Sequence, residues 1–448
     1  MKLKVLKEYR FGTKLGSVRS CSINLGYEMG MLFAYSEDPP QDPYSEYLGF
    51  HHHPVHLAVY GAEGQQLWDR TLPMGVIPGV WFLPFIAHDM DGDGVDEVWF
   101  LNNPSDKPLR VAGRVMERLD ARTGKTIGTY PFEAANCAQE TVGEAYRYMI
   151  FGGYVHGEPV LIAQQGTYRD MHLQCYNADM TLRWRKVIAQ GNGPRAAHHV
   201  PILDINRDGV DEFLFGEHLL SMDDGSELIC YAPSYQGHSD VVLPFVDYTD
   251  GKGYVFTVRE NGNYKGCPRV VTFDDTGKTV WEDVYYDPAT ADGHMHCGFV
   301  YNARDGKKIA VAVHDNRRDV YGFEAVSGKP VELPFDMARL RPIDWDGDGV
   351  HDFVYGPEGI QRLDALDPEG KLVACLGGTM IQIGKWYDFP GEQLLSFYTN
   401  EGVVRLWGDA EAKDSEILLS RHKNGNRRFM NKMTGCGYNW LSTIDSMG

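Results

Sequence analysis

Residues 191–240 read GNGPRAAHHVPILDINRDGVDEFLFGEHLLSMDDGSELICYAPSYQGHSD. Asp204, Asn206, Asp208 and Glu212 stand at positions 1, 3, 5 and 9 of a D-x-N-x-D-G-x-x-E loop. A hard cation such as calcium takes about six to eight oxygen ligands, so carboxylates at this spacing, with a Gly for the sharp turn, suit it. Strand-like runs flank the loop. His198 and His199 stand just before the leading run, and His238 opens the next segment in Gly237-His238-Ser239-Asp240.

Much of the chain reads as weaker copies of this unit. Asp89, Asp91, Asp93 and Glu97 form a second acidic loop leading into VWFL; Asp344, Asp346, Asp348 and Asp352 form a third leading into FVYG. Degenerate turns keep the register. Gly26-Tyr-Glu-Met-Gly30 leads into MLFAY, Gly153 to Pro159 into VLIA, Asp247 to Gly253 into YVFTV, Asn302 to Lys308 into IAVAV, and Asp388 to Glu392 into LLSFY. A second phrase, strand–Gly turn–strand, recurs at 57–70, 117–130, 173–186, 270–283, 320–333 and 361–376 and reads as a hairpin. No long amphipathic helix is evident. A repeat that cannot bury its apolar face alone must stack on its neighbours. The expectation is an all-β fold, an eight-bladed β-propeller, with seven blades as the alternative because the first and last units are irregular. One domain over 1–448 is expected, with loop insertions near 36–56 and 134–147, the second able to form a helix.

The chain has 448 residues, 43% hydrophobic and 23% charged, in the range of globular proteins. Its net charge of -19 argues against a nucleic-acid partner, which needs a concentrated basic footprint. The one basic patch is the tail at 421–440, expected to close the ring or rim its channel. The eight Cys include no C-x-x-C pair and read as free thiols. No apolar run reaches the roughly 20 residues of a membrane span, and the N-terminus lacks the apolar stretch of a signal peptide. A cytoplasmic protein is expected, or a secreted one if a leader has been removed.

His198, the loop at Asp204, Met222-Asp223-Asp224-Gly225 and Gly237-His238-Ser239-Asp240 follow one another as do the motifs of the rhamnogalacturonan lyases, polysaccharide lyase family eleven, which this sequence resembles. The resemblance is specific over about fifty residues and diffuse over about 55–410. It implies an eight-bladed propeller that binds calcium and cleaves rhamnose–galacturonate linkages by β-elimination, with His198 and His238 in a metal-containing cleft. Two departures stand out: Gly-His-Ser-Asp runs on into VVLPF, and the chain begins almost at its first blade.

β-Elimination from a uronate needs a base for the proton beside the carboxylate, a cation to neutralise that carboxylate, and help for the leaving oxygen. A base is best tuned near the working pH, which favours His or a perturbed Tyr; Arg suits the carboxylate. Groups of these kinds stand where blades begin: Arg195, His198 and His199; His238; His294 and His296, which share a face on a strand; Tyr168 and Arg169; and Arg339. His198 or His238 is expected as base or metal ligand, Arg195, Arg169 or Arg339 against the substrate carboxylate, and Tyr168 as acid. The substrate expected is an acidic oligosaccharide or polysaccharide of uronate and rhamnose. Two other readings use the same scaffold. One is a non-catalytic, calcium-stabilised propeller binding glycan or protein; the other is a glycoside hydrolase using Glu217, Glu260 or Asp240.

Overall fold

A computed structural model describes residues 1–43, 51–135, 145–260, 268–284, 295–314, 319–338, 340–355 and 363–423. Among them thirty-two strands, numbered in chain order, form eight four-stranded antiparallel sheets. Seven sheets are meanders of consecutive strands. The eighth joins β30 (Thr379–Gly384), β31 (Gln393–Tyr398) and β32 (Val403–Asp409) to β1 (Leu3–Arg10), so both ends of the described chain share one sheet. The β1–β32 register runs from Leu3 opposite Asp409 to Arg10 opposite Val403.

Sequence pattern sorts the strands by depth. Continuous apolar runs are buried on both faces: β3 (Met29–Ser36), MGMLFAYS, is buried at all but its first residue. Fourth strands carry Thr, Glu and Lys outward: β9 (Thr126–Pro131) and β21 (Thr279–Val284) have no buried residue. First strands of neighbouring sheets touch: β2 (Ser17–Asn24) meets β6 (Phe85–His88), β6 meets β10 (Tyr148–Val155), β18 (Ser239–Asp247) meets β22 (Met295–Asn302), and β2 meets β30. First strands inside and fourth strands outside give a propeller-like all-β arrangement.

A Trp–Gly latch recurs between adjacent sheets. Trp68, Trp184 and Trp281, each on a fourth strand, donate their indole N–H to the carbonyls of Ala121, Met222 and Ala325 at 2.7, 2.9 and 2.9 Å. Each acceptor follows the third strand of the next sheet. In the turn beyond, Gly124, Gly225 and Gly328 have φ of 66°, 70° and 70°, and an added Cβ would stand 2.5–2.9 Å from the indole. These glycines supply both the left-handed turn and room for the ring.

The insertion at 36–56 is loop at its described ends, and most of that at 134–147 lies outside the described residues. The basic tail is described only to residue 423, in a helix spanning Glu416–Lys423. Its Arg421 is buried against Asp344 (3.2 Å) and Glu392 (3.0 Å), and His422 lies 2.9 Å from Glu392. Among the described residues no helix is long and apolar enough to cross a membrane.

Candidate active site

Each of the eight turns found by repeat joins the first strand of a sheet to its second. The acidic loops therefore stand at one end of their sheets. The starts of first strands and the ends of second strands stand at the other end, and most of the polar candidates gather there.

His198 lies four residues before β14 (Ile202–Leu203), and His238 immediately before β18. A parallel bridge between Arg195 and His238 holds the two segments together, with Arg195 N–H donating to the Gly237 carbonyl at 2.9 Å. Their imidazoles meet, Nε2 to Nε2, at 2.9 Å. His198 Nδ1 lies 2.9 Å from Asp240 Oδ1. A carboxylate only accepts, so a proton on His198 Nδ1 would face it and leave a lone pair on Nε2, although the 2.9 Å approach is an ion-pair contact and not an aligned hydrogen bond. The Tyr168 hydroxyl, in the connection between β11 (Glu158–Gln165) and β12 (Met171–Tyr176), lies 3.3 Å from that same Nε2. His198, His238 and Asp240 are buried, whereas Tyr168 is half-buried and Arg169 beside it is exposed.

Desolvation dominates the electrostatics. Burial, with the His198 ring adding to it, pushes His238 down to about 3, so its imidazole is neutral across ordinary pH. Two residues not singled out from sequence complete the pocket. Arg147, immediately before β10, lays its guanidinium over Trp81 and Tyr168, 4.6 and 4.8 Å from the ring centroids, and pairs with Asp42 at 3.2 Å. Trp81 meets the His198 ring edge-on at 5.6 Å. A signal was available: Arg147 precedes a first strand as His198 does.

Other expected residues fall elsewhere. Arg195 is buried and donates to four loop carbonyls, of Arg169, Ala189, Asn192 and Gly193. It braces the segment bearing His198, which corrects the expectation that it faces a substrate carboxylate. His199 turns away to the Val242 carbonyl at 2.8 Å, and burial lowers its pKa. His294 and Arg339, and the side chains of His296 and Asp352, lie outside the described residues. Arg341, two residues beyond Arg339, is buried on β26 (Leu340–Ile343) within the field of Asp240.

The acidic loops share one hydrogen-bond frame. The first Asp accepts backbone N–H groups from within the loop: Asp89 from Gly92 and Gly94, Asp204 from Asp208 and Gly209, Asp344 from Gly349. Asp93, Asp208 and Asp348 each accept from the residue two further on at 2.8 Å. Glu97 and Glu212 reach back to the N–H groups of Met90 and Ile205. Asn206 adds a 2.8 Å bond to Asp208. Oxygens of Asp89, Asp91 and Glu97, and of Asp344, Asp346 and Asp348, lie within 4.8 Å of one another. Burial first, then neighbouring carboxylates, push Glu97 and Glu212 up to about 7 and Asp344 up to about 8. Asp344 Oδ1 is buried without a hydrogen-bond partner among the described residues. Crowded, desolvated oxygens of this kind fit a hard cation.

No family model matches the sequence. It is 27% identical over 282 residues to the rhamnogalacturonan endolyase YesW of Bacillus subtilis (strain 168), covering 55% of this chain and 43% of that one. To the exolyase YesX of the same organism it is 23% identical over 410 residues, covering 81% and 63%. The chain thus spans less than two thirds of the length of either relative. Among solved structures, the rhamnogalacturonan lyase PL11 of Bacillus licheniformis matches with a TM-score of 0.78 at 17% identity, over 99% of this chain and 83% of that one. The crystal structure of YesW matches with a TM-score of 0.77, again at 17% identity, over 98% and 82%. Sequence and structure agree: this chain has a rhamnogalacturonan lyase-like fold.

Proposed function

We propose that the eight sheets are the blades of one ring, and that the chain is a polysaccharide lyase cleaving a rhamnose–uronate linkage of a pectin-type polymer by β-elimination. One observation carries this reading: Asp240, His198 and Tyr168 form a chain of contacts from a buried carboxylate to a half-buried phenol. The similarity to rhamnogalacturonan lyases supports it.

Burial decides the roles. His238, pushed down to about 3, is too weak a base for work near neutrality. It stays neutral, and its Nε2–H, which rests on the His198 Nε2 lone pair, must turn aside before that lone pair can receive a proton. His198, backed by Asp240, draws the proton from Tyr168. The phenolate oxygen then takes the uronate proton beside the carboxylate and returns it to the leaving glycosidic oxygen as the C–O bond breaks. Arg147, stacked on the phenol ring, stabilises the phenolate. The exposed Arg169 meets the substrate carboxylate as a bidentate donor.

The acidic loops fit calcium through Asp89, Asp91, Asp93 and Glu97, through Asp204, Asn206, Asp208 and Glu212, and through Asp344, Asp346 and Asp348. Calcium there supplies charge neutralisation that holds the loops rigid, at the far end of the sheets from Tyr168.

Incubation with rhamnogalacturonan oligosaccharides should raise the ultraviolet absorbance of an unsaturated uronate. New reducing ends without that absorbance would indicate a hydrolase. Binding with neither signal would indicate a non-catalytic propeller.

A further inference from the structure

We propose that His218, Glu227 and Cys230 form a second kind of metal site, one for a thiophilic divalent cation of the zinc type. It is built on the outer strands of the sheet that β14 opens and is chemically unlike the all-oxygen loops. A ring nitrogen, a carboxylate oxygen and the Cys230 sulfur lie within 4.8 Å of one another.

A strand irregularity brings the three together. In β16 (His218–Ser221) and β17 (Glu227–Cys230), His218 pairs with Cys230 and Leu219 with Ile229, but Leu220 pairs with Glu227. On a regular strand Glu227 and Cys230, three residues apart, would face opposite sides of the sheet. The register shift absorbs Leu228 and turns both onto the face of His218. Gly193 covers the site: its φ is 75°, and an added Cβ would stand 3.0 Å from His218 Cε1 and 3.4 Å from Cys230 Sγ.

Hydrogen bonding orients the imidazole for a metal. His218 Nε2 lies 2.9 Å from the Pro194 carbonyl, which can only accept, so Nε2 carries the proton. Metal-bound histidines commonly hold their second nitrogen in this way. Nδ1 then presents a lone pair to Glu227 Oε2, 2.5 Å away. Two acceptors cannot face each other at that distance with nothing between them, so in this geometry a proton joins them, and a metal ion would replace it only with the two atoms drawn further apart. With the Cys230 sulfur beside them, the three side chains offer one imidazole, one carboxylate and one thiolate on metal binding, a three-ligand zinc set with a fourth position for water. Zinc bonds of roughly 2.0–2.3 Å place tetrahedral ligand atoms about 3.3–3.7 Å apart. Glu227, with 38% of its side chain exposed, is free to swing out to that spacing.

The test uses the full chain stripped by a chelator and titrated with cobalt(II), a spectroscopic stand-in for zinc. One equivalent should give a near-ultraviolet sulfur-to-cobalt charge-transfer band, and zinc should displace it. Cys230→Ser should abolish the band, and His218→Gln should weaken cobalt binding at least about tenfold. The His198–His238–Asp240 cluster contains no sulfur and cannot produce the signal. Glu227→Gln, at the most exposed of the three, serves if either other variant fails to fold: it should weaken binding while keeping the band. No band in the unsubstituted chain, or an unchanged band in Cys230→Ser, would overturn the site and leave a His–Glu ion pair beside a free thiol. The lyase assay is independent, so either result can fail alone.

Discussion

At the scale of the residue, the proposed lyase chemistry rests on a hydroxyl and an imidazole in contact. Tyr168→Phe keeps the ring that packs against Arg147 and His238 and removes only the oxygen. It should lower kcat about a hundredfold or more, with KM little changed, and His198→Ala should do the same. Steady-state rates on rhamnogalacturonan oligosaccharides check both, and near-normal turnover in either would remove the relay. His238 adds a pH dependence of stability. Its folded pKa of about 3 is far below the roughly 6.5 of an unfolded His. The unfolded chain therefore binds the extra proton first, and this contribution to stability is lost as pH falls from about 6.5 toward 3. Thermal unfolding of His238→Gln should be flatter over that window than that of the unsubstituted chain. The histidines were legible because they flank a strong motif. Arg147 was not singled out although it precedes a first strand as His198 does, and Trp81, in the connection before β6, carried no comparable signal.

Elements titrate in the opposite sense. Glu97 and Glu212 are held near 7 by burial and by neighbouring acids, above the usual carboxylate value. Without a cation the folded loops bind more protons than the unfolded chain. The stability they contribute is full below about 4.5 and is lost as pH rises through about 7. Chelator-treated protein should therefore show a falling contribution over that range, and millimolar calcium should abolish it and raise Tm by mass action. Calorimetry with and without calcium, repeated on Glu97→Gln, checks this; an identical Tm under both conditions would remove the calcium assignment. The loops were legible as repeated turns, because the Asp and Gly that tie up their backbone N–H groups recur at a fixed spacing. So were the hairpins: the phrase at 173–186 folds as β12 with β13 (Leu182–Ile188), and that at 270–283 as β20 (Arg269–Asp274) with β21. The grouping of His218, Glu227 and Cys230 was hidden, because a register shift is a property of paired strands and cannot be read from spacing along one of them.

At the scale of the whole molecule, the first and last strands of the described residues pair in one sheet. Deleting residues 1–10 would leave β32 with an unpaired outer edge, a template for association with other copies. The truncated chain should aggregate with increasing concentration and lose the cooperative transition of the full chain, as read by light scattering and calorimetry. A monomer with an unaltered melt would show the closure to be dispensable. The same strand pair bears on synthesis. β1 is translated well before β32, whose Val403–Asp409 lie opposite it, so its pairing must await that later strand. At about 5–20 residues per second that wait is on the order of a minute. Until then β1 offers both edges to any stray strand, whereas each of the seven meander sheets can form as soon as its own four strands have been made.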